Sequence, residues 1–487
     1  MPVLTHVDLL PIFLVIILTL GAGFVMKSVI HSAGEYLHDT RGLTAWIAVP
    51  ALCGTFLGAP EALGMGALGA DFGWRWTAAF VLGLVPALVL ASRWSGTRLA
   101  NVSAKTVAEF LGLRYGRAMR AVSAGLYVLL YLIGAGIALG VLGRTVQALH
   151  ILDGLVRGRG WAVESIYPGV VMTGAVVALL AVLWGGFAGS VYSRSVQFCF
   201  LVAGFLPLTL HSVASVGGWA GLWGSFDAAG FPAGALAHPL AAWGLGLAAG
   251  VCIGSADFRL LQILLNCRDR ATLRRVPLLA LLPLLIAAFL LVAPGAVAPQ
   301  MPTPRTSVTE SEIEGAIVRT TTLARPEEEA GRGLVPAQVD AATGHVQREA
   351  GGAARLEYAM GTPKLAVKTL PETVLGMFLA ALLAALLSGI TAQLTAIAAL
   401  VHQDLAPLFV KRPASDAVQL QTARWTAVGA MALAVSLAFA LRQHGASSMR
   451  LLLIDFLGTT GLLAVMTLCM AAVHAPEGKP RRRSRQR

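Results

Sequence analysis

Long apolar segments restrict the fold of this chain more than any other feature. Each is close to the roughly 20 residues that an α-helix needs to cross a bilayer. We count eleven, at about 6–26, 44–70, 74–92, 121–143, 168–186, 196–216, 238–258, 276–298, 372–402, 422–441 and 451–473. With 56% hydrophobic and 13% charged residues, the chain has more apolar surface than one water-soluble core can bury. The sequence therefore predicts an all-α polytopic membrane protein with about eleven transmembrane helices.

The positive charges of the short loops predict the orientation of these helices. Lys and Arg concentrate in alternate loops, which places those loops on the cytoplasmic side of a plasma (inner) membrane. They are Arg93, Arg98, Lys105, Arg114, Arg117, Arg120, Arg259, Arg268, Arg270, Arg274, Arg275, Lys411, Arg412 and the tail KPRRRSRQR. The N-terminus is then outside and the C-terminus inside. The first segment lacks a basic leader and has full spanning length, so we expect it to remain as the first helix.

Several classes of function find no support in the sequence. The net charge of +12 mostly reflects the Lys and Arg of the loops predicted to be cytoplasmic. The basic tail suits anionic membrane lipid rather than nucleic acid. The five cysteines lie in or beside membrane segments and imply no disulfide framework. We find no Walker loop, dinucleotide fingerprint, zinc spacing or nucleophile elbow in a credible context. The sequence predicts neither an enzyme nor a cofactor.

One hydrophilic stretch, residues 299–370, is too long for a simple connector. Its charge is nearly balanced, and a Gly- and Ala-rich part follows TESEIEGAIVRTTTLARPEEEAGRG. Two interpretations remain open, a cap over the outer mouth and a flexible insertion.

Two apolar segments carry signals for an interrupted helix. In the second segment, Gly54, Gly58 and Pro60 lower the cost of non-helical backbone or remove a backbone donor, so we expect a break there. The seventh segment repeats the enrichment in glycine, from Gly244 to Gly254. The two segments are five positions apart in the series of helices, an arrangement typical of the inverted repeats of secondary transporters. Close helix packing is the alternative role of these glycines.

Glu61 is a carboxylate within a spanning segment. Such a group is costly unless it is hydrated, paired or protonated, which makes it a candidate functional residue. The alternative is that Glu61 caps the half-helix that begins after Pro60. Asp455 is a second acid in an apolar segment, but its nearness to the outer end favours a solvated or structural role.

A line of hydroxyls runs along the segment from Leu370 to Leu405. Ser388, Thr391 and Thr395 recur at helical spacing, which puts them on one face. Hydroxyls on one face in lipid indicate either a polar path or groups that bond to neighbouring helices and to their own backbone.

Five sequence blocks together resemble the sodium/solute symporter family. In chain order they are SAGEYLHDTRGLTAW, TVAEFLGLRYG, GGFAGSVYSRSVQ, DFRLLQILLNCRDRATLRR and LAALLAALLSGITAQL. The resemblance covers roughly residues 30–410 and implies one N-terminal extra helix plus two inverted five-helix repeats. The implied units are 1–43, 44–216, 238–473 with an extracytoplasmic loop at 299–370, and a basic cytoplasmic tail at 474–487.

The resemblance also implies a sodium site between the broken first core helix and the eighth core helix. By motif position its ligands are the carbonyls of Gly54, Leu57 and Ala385 and the hydroxyl of Ser388, a set of hard oxygens that suits a hard cation. The family usually has a second hydroxyl directly after that serine, where this chain has Gly389. Thr391 or a water molecule would have to fill the gap.

Arg194 is another departure from the family, many members of which carry an acid at this position. In some members that acid contributes to a further sodium site, and a fixed positive charge opposes a cation there. Coupling to two sodium ions is therefore not expected.

The resemblance implies a secondary active transporter for a small polar organic solute. The solute would bind midway across the membrane, in contact with Pro60, Glu61, Tyr131 and Trp243. Coupling would run through a reduced sodium site at Ser388 or through protonation of Glu61. The rival hypothesis is a sensor or scaffold of the same fold that binds a solute without moving it.

Overall fold

The fold was analysed in a computed structural model. It describes residues 6–38, 42–228, 239–302, 307–313, 316–322, 326–339, 345–348, 352–409, 415–443 and 447–472. Lys411, Arg412 and the basic tail lie outside these described residues.

Helices make up most of the described chain. In chain order they are α1 (His6–Lys27), α2 (Ala33–Leu37), α3 (Ala45–Phe56), α4 (Ala59–Phe72), α5 (Trp74–Leu90), α6 (Gly96–Asn101), α7 (Val107–Tyr115), α8 (Arg117–Ala148), α9 (Asp153–Arg157), α10 (Ile166–Ser215), α11 (Trp219–Ala228), α12 (Pro239–Ala256), α13 (Phe258–Leu265), α14 (Arg270–Val297), α15 (Pro326–Glu329), α16 (Gly361–Thr369), α17 (Glu372–Leu400), α18 (Ala406–Phe409), α19 (Asp416–Gln443) and α20 (Ser448–Ala471). One antiparallel hairpin, β1 (Ser307–Ile313) and β2 (Ala316–Thr322), lies in the long loop.

Polar residues in the connections fix where several helices begin. Ser32 and Glu35 form a reciprocal capping box at α2. The Thr106 hydroxyl accepts from the N–H of Glu109 at α7, and the Asp269 carboxylate accepts from the N–H of Thr272 at α14. These side chains satisfy backbone donors that a helix end leaves without partners.

Eight helical stretches in the described residues are long and apolar enough to span a membrane. The number of spans rises to ten if each of two further bent helix pairs counts as one span. One stretch contains the 50-residue helix α10, about 75 Å long if straight and therefore more than twice the thickness of a bilayer core. Its helical geometry is interrupted at Gly186, where φ is 51°. The segments predicted at 168–186 and 196–216 correspond to its two parts, and the exact number of eleven helices stays a prediction.

Helix α17, which carries the hydroxyl line, lies at the centre of the molecule. It is buried along most of its length and packs against α1, α8, α10 and α19. A Cβ on Gly204 of α10 would lie 2.6 Å from the Met377 carbonyl oxygen of α17, so the missing side chain lets the two helices approach closely.

The glycines of the seventh apolar segment form a packing surface. A Cβ added to Gly250 would lie 1.9 Å from the Gly83 carbonyl oxygen. A Cβ added to Gly254 would lie 1.9 Å from the Ala87 carbonyl oxygen. These contacts join α12 to α5 along a stripe of small residues. The close-packing interpretation therefore holds for Gly250 and Gly254, although the helix also bends at Asp257.

Part of the long loop packs onto the membrane helices at one end of the molecule. Leu334 and Val335 are buried, and the N–H of Leu334 donates to the carbonyl of Ala298. Helix α16 contacts α4, with Thr362 beside Gly66. We call this end, where residues 326–339 and 358–369 pack, the loop end.

Candidate functional site

The second apolar segment is broken as predicted. Helices α3 and α4 meet at an angle of 60°, with Leu57 and Gly58 between them. Pro60 stands in the first turn of α4, where its missing N–H costs nothing. Glu61 follows it, and a Cβ on Gly58 would lie only 2.7 Å from the Glu61 carboxylate. The negative side chain thus folds over the positive end of the α4 dipole.

A second break separates α12 from α13 at Asp257, with a bend of 43°. Two tyrosines of α8 hold it. The Tyr127 hydroxyl donates to the Ala256 carbonyl at 2.6 Å, and the Tyr131 hydroxyl donates to Asp257 Oδ1 at 3.0 Å. The Phe258 N–H donates back to the Tyr131 hydroxyl at 3.0 Å. These bonds satisfy backbone groups that the break frees, as burial in lipid requires.

Arg259 forms a buried ion pair beside the second break. Its Nη2 lies 2.9 Å from Asp257 Oδ2, and its guanidinium carbon lies 5.4 Å from the centroid of the Tyr131 ring. The distribution of Lys and Arg predicts a cytoplasmic loop at this arginine. The expectation fails for Arg259 because α13 continues the bent span, so that the side chain lies on an internal wall.

The two breaks border one cavity of about 340 Å³. It extends from Thr55, beside the first break, to Asp71 and Phe72 at the loop end of α4. Its polar lining residues are Thr55, Glu61, Asp71, Tyr131, Asp257, Arg259, Gln393, Asp455, Thr459 and Thr460. The volume is near the lower end of the range typical of small-molecule sites.

Three of the four predicted solute contacts line this cavity, namely Pro60, Glu61 and Tyr131. Trp243 lies on α12, two residues before the lining residue Leu245, and is not itself part of the wall. Its contact with a solute stays a prediction.

Gln393, which no sequence prediction included, and Asp455, for which the sequence favoured a solvated or structural role, both line the cavity. Both approach Gly134 of α8, where a Cβ would lie 2.7 Å from Gln393 Nε2 and 3.2 Å from Asp455 Oδ1. Gln393 is five residues beyond Ser388 on α17, and that proximity in sequence was the one available signal. Asp455 turns inward because α20 packs against α8 and α12.

The predicted ion ligands Gly54 and Ser388 are in direct contact. The Ser388 hydroxyl donates to the Gly54 carbonyl at 2.7 Å, and both residues are buried. Leu57 begins the break, Ala385 lies one turn before Ser388, and a Cβ on Gly389 would lie 3.4 Å from Gly58 Cα. Helix α17 therefore contacts the first break through Ser388 and Gly389, and the complete ligand set stays a prediction.

Thr391 and Thr395 direct their hydroxyls to their own helix. Thr391 Oγ1 donates to the Ser388 carbonyl at 3.2 Å, and Thr395 Oγ1 donates to the Thr391 carbonyl at 2.9 Å. Of the hydroxyl line, only Ser388 donates to another helix in the described hydrogen bonds.

The end of the molecule opposite the loop end is closed by polar contacts around Asp404. Arg120 Nε and Thr106 Oγ1 each donate to its carboxylate at 2.7 Å. Arg120 Nη2 also donates to the Gln403 carbonyl at 2.9 Å, and the Gln403 side chain contacts His38. Burial, together with the positive charge of Lys105, lowers the pKa of His38 to about 4, so its ring is neutral at pH 7.

Comparison with known proteins agrees with this architecture. The model of the "Sodium:solute symporter family" matches residues 329–474. The resemblance to the sodium:solute symporters is confirmed. Of the five blocks that carried it in the sequence, LAALLAALLSGITAQL lies within the matched residues. No curated protein sequence matches the chain significantly.

Several solved structures share the fold. A Na⁺-coupled sialic acid symporter in a substrate-bound, outward-open state matches with a TM-score of 0.71 at 14% identity, over 95% of this chain and 87% of that one. A nucleobase-cation-symport-1 family transporter in a closed conformation matches with a TM-score of 0.55 at 10% identity, over 90% of this chain and 80% of that one. MhsT in complex with L-phenylalanine matches at 0.50 and 13% identity, over 87% of each chain. These likenesses confirm the predicted helical, inverted-repeat membrane fold, to which the long loop adds the hairpin of β1 and β2.

Arg194 is a buried charge beside the first break. The side chain is 1% exposed, its Nη1 donates to Thr55 Oγ1 at 2.8 Å, and its Nε donates to the Ser190 carbonyl at 3.1 Å. Within the described residues, Nη2 has no hydrogen-bond partner and the guanidinium has no carboxylate within ion-pair distance. Because Thr55 directly follows Gly54, this positive charge borders the predicted sodium site.

Proposed function

We propose that this chain is a secondary active transporter that moves a small polar organic solute by alternating access, in symport with a cation. The observation that carries the proposal is the meeting of two broken helices around one cavity with buried charged groups. Such breaks place helix ends and non-helical backbone at the middle of the membrane, where transporters bind solute and ion.

The solute site of this proposal lies between the breaks. Pro60 and Glu61 contribute from the first break, Tyr131 from the helix that braces the second, and Trp243 from the loop end of α12. The charged groups bind the polar part of the solute, because charges interact strongly where a bound solute excludes water.

The ion site of the proposal is a reduced sodium site. It comprises the carbonyls of Gly54, Leu57 and Ala385, the hydroxyl of Ser388, and Thr391 as the nearest replacement for the hydroxyl missing at Gly389. The direct contact of Ser388 with Gly54 supports this location. Arg194 lowers its affinity for sodium, because like charges repel strongly where water is scarce.

A second coupling mode, protonation of Glu61, is favoured by a separate observation. Glu61 faces the cavity and has no ion-pair partner among the described residues. A carboxyl group in such a place gains or loses a proton at little structural cost, so it can carry a proton in place of sodium.

The two ends of the molecule supply the gates of the alternating-access cycle. The cavity reaches toward the loop end, whereas the contacts around Asp404 close the other end. We propose that the closed end is cytoplasmic, as the Lys and Arg distribution predicts.

Uptake into proteoliposomes tests the proposal. Labelled sugars, amino acids, carboxylates, vitamins, urea-like solutes and amines are offered under a sodium gradient, a pH gradient or neither. Accumulation under either gradient supports symport. Uptake that follows sodium and survives Glu61→Gln excludes coupling through that carboxyl, while uptake that follows pH and ignores sodium excludes the reduced sodium site.

The rival sensor has a distinct outcome. Saturable binding of a solute to the purified chain, without accumulation under any gradient, contradicts transport and supports a protein that binds its solute without moving it.

A further inference from the structure

The charged groups of the cavity do not balance. Glu61, Asp71, Asp257 and Asp455 supply four carboxylates, and Arg259 supplies one guanidinium. Arg259 is committed to Asp257, with two contacts of 2.9 and 3.2 Å from its side chain. Glu61 and Asp455 form no ion pair with any cation that the structure describes. Arg259 acts on Glu61 and Asp455 only at longer range, so neither carboxylate has a cation of its own within ion-pair distance among the described residues.

Gln393 independently indicates that the cavity binds a hydrogen-bond donor. Its side chain is buried, with the whole residue only 6% exposed, and it lines the cavity next to Asp455. Its side-chain carbonyl oxygen has no hydrogen-bond partner in the described residues. A buried acceptor without a partner costs free energy, so a bound molecule that brings an N–H donor stabilises it.

The rest of the wall is apolar and partly aromatic. Phe56, Phe72, Phe80 and Phe456 join the ring of Tyr131 around the cavity. Aromatic faces attract a desolvated cation through the negative charge of their π-systems, and they also bury an apolar body. A bare inorganic cation would leave most of this surface uncovered.

We infer that the solute of this site is a small organic cation, an amine with an apolar body. The inference rests on the proposed function, for which it names the substrate class. The ammonium group donates to Asp455 and to the Gln393 carbonyl, and Glu61 supplies further negative charge from the first break. The apolar body occupies the aromatic part of the wall. A carboxylate solute is disfavoured, because the one guanidinium is already paired and two carboxylates repel it.

Three probes with a common aromatic body test the inference: benzylamine, benzyl alcohol and phenylacetate. Each is titrated into the purified full-length chain at constant pH and ionic strength, and thermal unfolding is followed. We expect a saturable increase in the unfolding temperature with benzylamine that exceeds the increase with the alcohol, and no increase with phenylacetate. A shift with the amine no larger than with the alcohol, or a shift with phenylacetate as large as with the amine, overturns the inference.

Matched variants locate the effect. Asp455→Asn keeps the shape of the side chain, removes one charge and should weaken benzylamine binding about tenfold or more. Gln393→Met removes the acceptor at similar volume and should weaken binding several-fold. Glu164→Gln removes an exposed acid outside the cavity and should leave binding unchanged. Each variant is first checked for a single folded species by size exclusion, and unchanged binding in both cavity variants contradicts the assignment.

The outcomes separate this inference from the transport proposal. Binding of benzylamine without accumulation of a solute in proteoliposomes supports the cation inference and contradicts the transport proposal. If a neutral or anionic solute accumulates and benzylamine does not inhibit its accumulation, the cation inference is contradicted and the transport proposal is supported.

Discussion

Ser388 and Thr391 lie one helical turn apart, yet their hydroxyls bond in different directions. Ser388 reaches across to the Gly54 carbonyl, whereas Thr391 bonds to its own helix. Ser388→Ala should therefore lower the free energy of unfolding by about 1 kcal/mol and weaken sodium binding. Thr391→Val should have a smaller effect on both the free energy of unfolding and sodium affinity. Thermal unfolding and binding of radiolabelled sodium to the purified protein measure the two effects. Equal losses in the two variants would show that the contact with Gly54 has no special role.

Arg194 supplies a second prediction for a single residue. A unit charge roughly 6 Å from a bound ion repels it by about 3 kcal/mol at an effective dielectric constant near 20. Arg194→Gln retains a donor for Thr55 and removes that charge, so affinity for radiolabelled sodium should rise by about ten- to a hundredfold. Arg157→Gln, at an exposed position, is the control. An unchanged or lower sodium affinity in Arg194→Gln would mean that the guanidinium does not oppose the ion.

Among the helices, the glycine stripe between α5 and α12 gives the sharpest prediction. A Cβ on Gly250 would lie 1.9 Å from the Gly83 carbonyl oxygen, whereas nothing lies within 4 Å of a Cβ on Gly244 in the same helix. Gly250→Ala forces the two backbones apart and should destabilise the protein by roughly 1–3 kcal/mol or more. Gly244→Ala should be neutral or slightly stabilising. Thermal unfolding of the two variants in one detergent compares them directly, and equal stabilities would contradict the close approach.

The first break could be predicted from the sequence, but the details of the second could not. Gly58 and Pro60 are local signals, since each acts on its own backbone. In α12 the glycines indicated a break, yet Gly250 and Gly254 serve packing and the bend falls at Asp257, where two tyrosines of α8 satisfy the backbone. Asp455 and Gln393 join the cavity only because distant helices bring them to Gly134. Such contacts depend on tertiary packing, which no local pattern encodes.

Over the whole molecule, the cavity and the closed end lie on opposite sides of the central helices. Asp404 ties the end of α17 to Arg120 of α8 and to Thr106 at the start of α7, and its side chain is fully buried. Arg120 is partly exposed, which reduces the strength of the pair. In the proposed alternating-access cycle both contacts break when this end opens, so we expect them to set the balance between conformations that open to one side or the other.

Asp404→Asn should shift that balance toward opening at the closed end. Loss of the charge leaves Arg120 without its counter-ion, and a change of about 1.4 kcal/mol raises the open population tenfold. Hydrogen–deuterium exchange should then increase in Val107–Tyr115 and Ala33–Leu37, while the packed part of the long loop exchanges as before. Arg120→Gln should act in the same direction, and Arg117→Gln, an exposed neighbour on the same helix, should not. An exchange pattern that rises equally at both ends would indicate general destabilisation and contradict a gate at Asp404.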